Sequence, residues 1–215
     1  AYEGTYDAGW DRIRQARYQR MVEMGIIPAG TELPPRYQGA ESWEATEHKA
    51  WQARRMEVYA AQVSRMDQNI GRLVDFLAEK GELDHTLIFF LADNGGCAET
   101  LDPTSGWYVN CCAGTGPSGL ALQPGNDPSV MPGPDYTYQS YGPAWAQVSN
   151  TPFRMYKHWN QEGGVRTPLV VHYPAGIERQ GDWNTNPGHL IDLMATCVEV
   201  AGATYPQAFG GGSPK

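Results

Sequence analysis

The run Thr86-Leu87-Ile88-Phe89-Phe90-Leu91 is apolar or β-branched at every position, and it leads through Ala92 into Asp93-Asn94-Gly95-Gly96. An uninterrupted apolar run of this length reads as a strand buried on both faces, as in the middle of a parallel sheet. The C-terminal edge of such a strand is where open α/β sheets place ligand sites. Here that edge delivers a carboxylate and an amide, followed by two glycines free to take φ > 0. Asp93 and Asn94 are adjacent hard oxygen donors and suit Ca²⁺ or Mg²⁺. Taken alone, the same letters also spell an ordinary Asx-Gly turn.

The flanking sequence supplies helices for that strand to pack on. Residues 6–25 carry Trp10, Ile13, Tyr18 and Met21 on one face, with arginines on the other, Asp7 as a cap and Gly25 as a stop. Residues 42–80 form the longest helical stretch. Met56, Tyr59, Val63, Met66, Ile70, Leu73 and Leu77 recur there at threes and fours, and Gly81 closes it. Helix followed by apolar strand is half of a βαβ unit. A second short strand is expected at 169–172 in the same sheet, and a last amphipathic helix at 189–202. Residues 97–141 show neither period, and an irregular connection of that length reads as a lid or substrate loop carrying Trp107, Tyr108, Tyr136 and Tyr138.

Composition removes several classes. A net charge of −8 argues against a nucleic-acid partner. No apolar run approaches the roughly 20 residues of a membrane-spanning helix. Cys97, Cys111, Cys112 and Cys197 lack the spacing of a zinc site. A bridge from Cys97 to Cys111 or Cys112 would fit an oxidising compartment, and free thiols are the alternative.

Several motifs stand in one order. Tyr6-Asp7-Ala8-Gly9-Trp10-Asp11 comes first, then Met66-Asp67-Gln68-Asn69-Ile70-Gly71-Arg72-Leu73, then Asp93-Asn94-Gly95-Gly96. Tyr156-Lys157 precedes Glu162-Gly163-Gly164-Val165-Arg166-Thr167-Pro168, and His189-Leu190-Ile191-Asp192-Leu193-Met194 closes the series. Together they resemble the C-terminal half of the catalytic domain of a type I, formylglycine-dependent arylsulfatase of the alkaline phosphatase superfamily. The resemblance implies an α/β fold, part of a sandwich with a central, mostly parallel sheet flanked by helices. It covers residues 1–206 as an incomplete catalytic domain, with 207–215 as a flexible Gly-rich tail. It implies hydrolysis of sulfate esters, either small molecules or sulfated glycans, with Ca²⁺. Asp93 and Asn94 match metal ligands, and Lys157 matches the lysine that contacts the sulfate. Arg166 and His189 are expected to support the site from behind. None of the cysteines is followed by x-Pro-x-Arg, so the nucleophile motif is not in this chain. The resemblance implies that an N-terminal half of the same enzyme supplies it and that this chain alone is inactive. A phosphonate or phosphate monoester hydrolase of the same superfamily is the alternative, as is a non-catalytic protein that keeps the fold. The expected location is periplasmic or secreted rather than cytoplasmic.

Overall fold

Three tryptophans from distant parts of the chain form the centre of the core. Trp10 meets Trp43 edge-on with ring centroids 4.7 Å apart, and Trp145 packs on both at 5.5 and 6.1 Å. Edge-to-face pairs of this kind add about 0.5–1.5 kcal/mol each beyond the area they bury. Two of the indoles are also hydrogen-bonded: Trp10 Nε1 donates to the Glu41 carbonyl and Trp145 Nε1 to the Gln52 carbonyl. Ala53, Met56 and Val148 complete this core.

The computed structural model describes residues 1–106, 110 and 112–205. Contacts divide the chain into two units, Ala1–Glu178 and Arg179–Lys215. The first contains α1 (Gly9–Glu23), α2 (Lys49–Glu79) and a short 3₁₀ turn at Leu83–His85. Strand β1 (Ile88–Leu91) follows, then β2 (Gln123–Pro124) and β3 (Thr137–Tyr138). Helices α3 (Gly142–Ser149) and α4 (Glu162–Val165) lead to β4 (Leu169–His172). The second unit contains α5 (Leu190–Val200). The whole tail expected to be flexible, 207–215, lies outside the described residues, as do Pro206, Trp107, Tyr108 and Cys111.

Helix α1 starts later than its expected cap. Ala8 occupies the N-cap without a side-chain bond, and Asp7 does not serve. Gly9 explains the entry: its φ is +79°, and a Cβ there would fall 2.1 Å from the Trp43 ring. Asp11 then accepts from the Trp43 backbone N–H at 2.8 Å, so the start of α1 is fastened to the tryptophan it packs on. Arg14, expected on the solvent side, is buried and donates to the Pro34 carbonyl.

Helix α2 begins at Lys49, not Ser42. Ser42 instead closes a turn, its carbonyl and Oγ accepting from Ala45 N–H. Gly81 ends the helix at φ +72°, as its position after Lys80 predicts. The first turns are buried through Trp51, Ala53 and Met56, whereas Val63, Met66, Leu73 and Phe76 on the later turns are exposed. The apolar period of α2 therefore exceeds what this chain covers.

Both expected strands form, and they pair with each other. β1 and β4 run antiparallel in the register Ile88↔His172 to Leu91↔Leu169. The expected parallel arrangement is not the one seen for this pair, because an apolar run encodes burial but not the direction of its neighbour. Nor is β1 buried on both faces: Phe90 is 45% exposed, and Leu169, Val170 and Val171 of β4 are exposed as well. Thr86 belongs to the preceding turn, with its hydroxyl donating to the Glu82 carbonyl. The irregular segment 97–141 holds the short parallel pair β2–β3 and an isolated bridge between Thr115 and Ala121.

Candidate active site

Directly after β1 the chain enters the Asp93–Gly96 loop, which is fastened by main-chain bonds to residues 150–167. Gly95 N–H donates to the Gly164 carbonyl at 3.0 Å, and Lys157 N–H donates to the Gly96 carbonyl at 3.1 Å. Thr167 Oγ1 donates to the Ala92 carbonyl at 2.7 Å. The loop expected to carry the metal ligands and the segment carrying Lys157 are thus one hydrogen-bonded unit.

The glycines of both motifs are required by spacing. A Cβ at Gly95 would lie 1.7 Å from the Gly163 carbonyl oxygen. One at Gly163 would lie 2.2 Å from the Met155 carbonyl oxygen, and one at Gly164 would lie 2.0 Å from that of Trp159. Gly95 and Gly96 are not among the glycines at positive φ, so close approach, not a left-handed turn, is their role here.

Asn150 holds this unit from behind. Its Oδ1 accepts from Gly96 N–H at 2.8 Å, while its Nδ2 donates to the Met155 carbonyl at 3.1 Å. One amide therefore ties both loops to the end of α3, where Asn150 is the C-cap. Sequence reasoning missed it: an Asn before Thr151-Pro152 reads as a helix end, and only its distant partners reveal the clamp. Tyr141 stands against the same corner, its hydroxyl 2.6 Å from where a Cβ on Gly96 would be. Burial raises the Tyr141 phenol well above its usual value.

Asp93 is exposed and Asn94 is half-buried, both at the sheet edge where the sequence places them. Their oxygens are hard donors on one loop, which fits part of the ligand set of Ca²⁺. Among the described residues, no group of three or more His, Cys, Asp and Glu side chains is gathered to hold a metal.

Lys157 lies 3.8 Å from Glu99 Oε1, and His158 Nε2 is 2.9 Å from the same oxygen. The bond to His158 is the main cause that holds the Glu99 carboxyl below its ordinary value, helped by Lys157 and the Cys97 thiol against the opposing effect of burial. Cys97 is a free thiol, so the bridge considered for it is not formed. Beside this cluster, α2 and the 97–141 segment enclose a cavity of about 250 Å³ lined by Arg55, Tyr59, Cys97, Glu99, Tyr138 and Tyr141, among others. Burial lowers the Arg55 guanidinium to about 10.

The other two expected residues have local partners. Arg166 pairs with Glu162 at 2.8 Å and lies over the Phe153 ring at 5.1 Å. It is its neighbour Thr167 that reaches the β1 end. His189 caps α5, with Nδ1 accepting from Ile191 N–H and Asp192 accepting from His189 N–H, a reciprocal capping box.

Comparison with known proteins places this chain in a family. The model of the Sulfatase family matches residues 26–203. The chain is 32% identical to an uncharacterized sulfatase of Schizosaccharomyces pombe, across 95% of this chain and 36% of that protein. It is 32% identical to an arylsulfatase of Klebsiella aerogenes, across 94% of this chain and 41% of the relative. A choline-sulfatase of Rhizobium meliloti is 26% identical, across 89% of this chain and 41% of its own length. The chain thus spans about two fifths of these relatives, with the family match running from before α2 to just past α5, and it belongs to the sulfatase family.

Proposed function

We propose that this chain forms part of the active site of a sulfuric ester hydrolase of arylsulfatase type. The observation that carries this reading is the bond from Lys157 N–H to the Gly96 carbonyl, which joins the Asp93-Asn94 loop and the lysine segment. Asp93 and Asn94 would hold a divalent cation, Ca²⁺ in preference to Mg²⁺. Bound there, the ion would neutralise and orient the oxygens of the sulfuryl group. Lys157 adds a positive charge on the same group, where negative charge is spread over oxygens during transfer. The Asn150 clamp and the close-packed glycines would hold together the two backbone segments that carry these contributions. The substrate is a sulfate ester, from a small molecule or a sulfated glycan.

The remaining metal ligands and the formylglycine nucleophile would come from an N-terminal half of the same enzyme. The exposed apolar side chains of Phe90, Leu169, Val170 and Val171 support a partner surface of that kind on the strand pair. A periplasmic or secreted location accompanies this reading. No helix among the described residues is long and apolar enough to cross a membrane.

The test uses the complete enzyme. Asp93→Ala should abolish Ca²⁺ binding and aryl sulfate hydrolysis together. Lys157→Ala should leave Ca²⁺ bound, measured by calorimetry, and slow turnover. Full metal affinity in Asp93→Ala, or wild-type turnover in Lys157→Ala, refutes the assignment.

A further inference from the structure

Consecutive residues of an extended chain project to opposite sides, so Lys157 and His158 would not ordinarily share a partner. Here the backbone turns them together. His158 lies at φ +80° and Met155 at φ +66°, in the left-handed region that non-glycine residues seldom occupy. Backbone strain of this kind persists where the surroundings over-determine it, and it gathers at functional sites. The partner that benefits is Glu99, whose Oε1 meets His158 Nε2 at 2.9 Å and Lys157 Nζ at 3.8 Å. Both halves of the cluster are anchored through the main chain: Ser140 Oγ donates to the Glu99 carbonyl, and Lys157 N–H donates to Gly96.

The three side chains differ in access. His158 is 65% exposed and Glu99 41%, while Lys157, the one with the freest stem, is only 35% exposed. An unpaired lysine samples many rotamers, and ordering it must be offset when a ligand binds. The carboxylate performs that ordering beforehand. At 3.8 Å the pair is loose, and Oε1 is shared with His158, so the ammonium keeps N–H donors for a second acceptor.

We propose that Glu99 is a positioning residue for Lys157: its carboxylate, fixed by His158 Nε2, holds the ammonium beside the Asp93–Gly96 loop and releases it to a sulfate oxygen of the ester. This rests on the reading of Lys157 as the sulfate contact. It gives Cys97–Glu99, at the entrance to the 97–141 segment, a role that the sequence motifs do not indicate.

Two measurements test it. The first uses the 215-residue chain and needs no catalysis. Brief acetylation with acetic anhydride, followed by peptide mass mapping, gives the reactivity of Lys157 relative to Lys49 and Lys80. Glu99→Gln should speed acetylation of Lys157 by about two- to five-fold, the range of a solvent-accessible ion pair, and leave Lys49 and Lys80 unchanged. Glu99→Asp should fall between wild type and Glu99→Gln, and His158→Asn should also speed the reaction. An unchanged Lys157 rate in Glu99→Gln overturns the proposal. The second measurement uses the complete enzyme. Glu99→Gln should lower kcat/KM for an aryl sulfate about 10-fold, as expected for a misplaced charge, with Glu99→Asp recovering part. In a Lys157→Ala background, Glu99→Gln should have no further effect. Losses that add in the double variant, or full activity in Glu99→Gln, refute positioning while leaving the sulfate contact intact. Full activity in Lys157→Ala would instead remove the contact on which the proposal rests, and the proposal with it.

Discussion

Replacing Asn150 with alanine should separate the two loops of the candidate site without touching a residue that faces substrate. The wild-type amide makes two bonds, at 2.8 Å from Gly96 N–H and at 3.1 Å to the Met155 carbonyl. Each is worth about 0.5–1.5 kcal/mol net. The loss exceeds their simple removal, because Met155 is buried, at 4% exposure, and its carbonyl loses a partner that water replaces poorly. A buried group left unpaired costs about 1–3 kcal/mol. Asn150 and Gly96 are only half-buried, so water can recover part of the Gly96 bond. The expected destabilisation is therefore about 2.5 kcal/mol, below the middle of the combined range of roughly 1.5–4.5 kcal/mol. Urea denaturation of the chain, followed by tryptophan fluorescence, measures it as a lower midpoint at unchanged slope. Hydrogen exchange at the Gly96 amide should accelerate more than exchange within α2. A change below about 0.5 kcal/mol, the level of an ordinary surface substitution, with Gly96 exchange unaltered, would show that the amide does not join the loops.

Gly9→Ala should destabilise the chain by at least the ~1–3 kcal/mol typical of overpacking, because both its φ of +79° and the Trp43 ring 2.1 Å from the new Cβ oppose it; a thermal melt within 1 °C of wild type would contradict this. The Glu99 carboxyl is depressed from its ordinary 4.5, so its contribution to stability is complete above that value and is lost as pH falls through the lower folded-state value. The difference in urea midpoint between wild type and Glu99→Gln should accordingly shrink on acidification below about pH 4.5, and a difference constant with pH would refute the pairing. The 215-residue chain by itself should hydrolyse no aryl sulfate with Ca²⁺ present, since none of its residues matches the family's nucleophile; turnover persisting through repeated purification would overturn that expectation.

How much of this was legible depends on the range of the interaction involved. Local signals performed well: β1 and β4 lie where the apolar runs stand, Gly81 ends α2, and α5 starts at its His189 cap. The Asp93-Asn94 position at a strand end was readable for the same reason, since an apolar run and the polar pair that follows it are contiguous. Distant relations were not readable. Nothing in the letters around Asn150 indicates Gly96 as its partner, and nothing around Glu99 indicates Lys157 and His158, which it meets where the backbone at His158 is left-handed. The Gly95-Gly96 pair was visible but misattributed. A sequence cannot distinguish a glycine needed for φ from one needed for close approach until the opposing carbonyl is known. Strand direction failed for a related reason, because the same apolar residues serve parallel and antiparallel neighbours.

The tryptophan centre also governs when this unit can fold. Trp10 and Trp43 lie near the start of the chain, and Trp145 reaches them only after α2, β1 and the whole 97–141 segment have been made. Closing so long a loop carries an entropy cost before its contacts return anything, and folding rates fall as such distant contacts dominate. During synthesis, α1 and α2 would emerge as helices with one wall of their core missing. Chains cut within residues 97–141 would retain Trp10 and Trp43 with no third ring to pack on, and so would remain substrates for proteases. Helix α3, short and late in the chain, is therefore the element whose arrival converts a set of helices into a core.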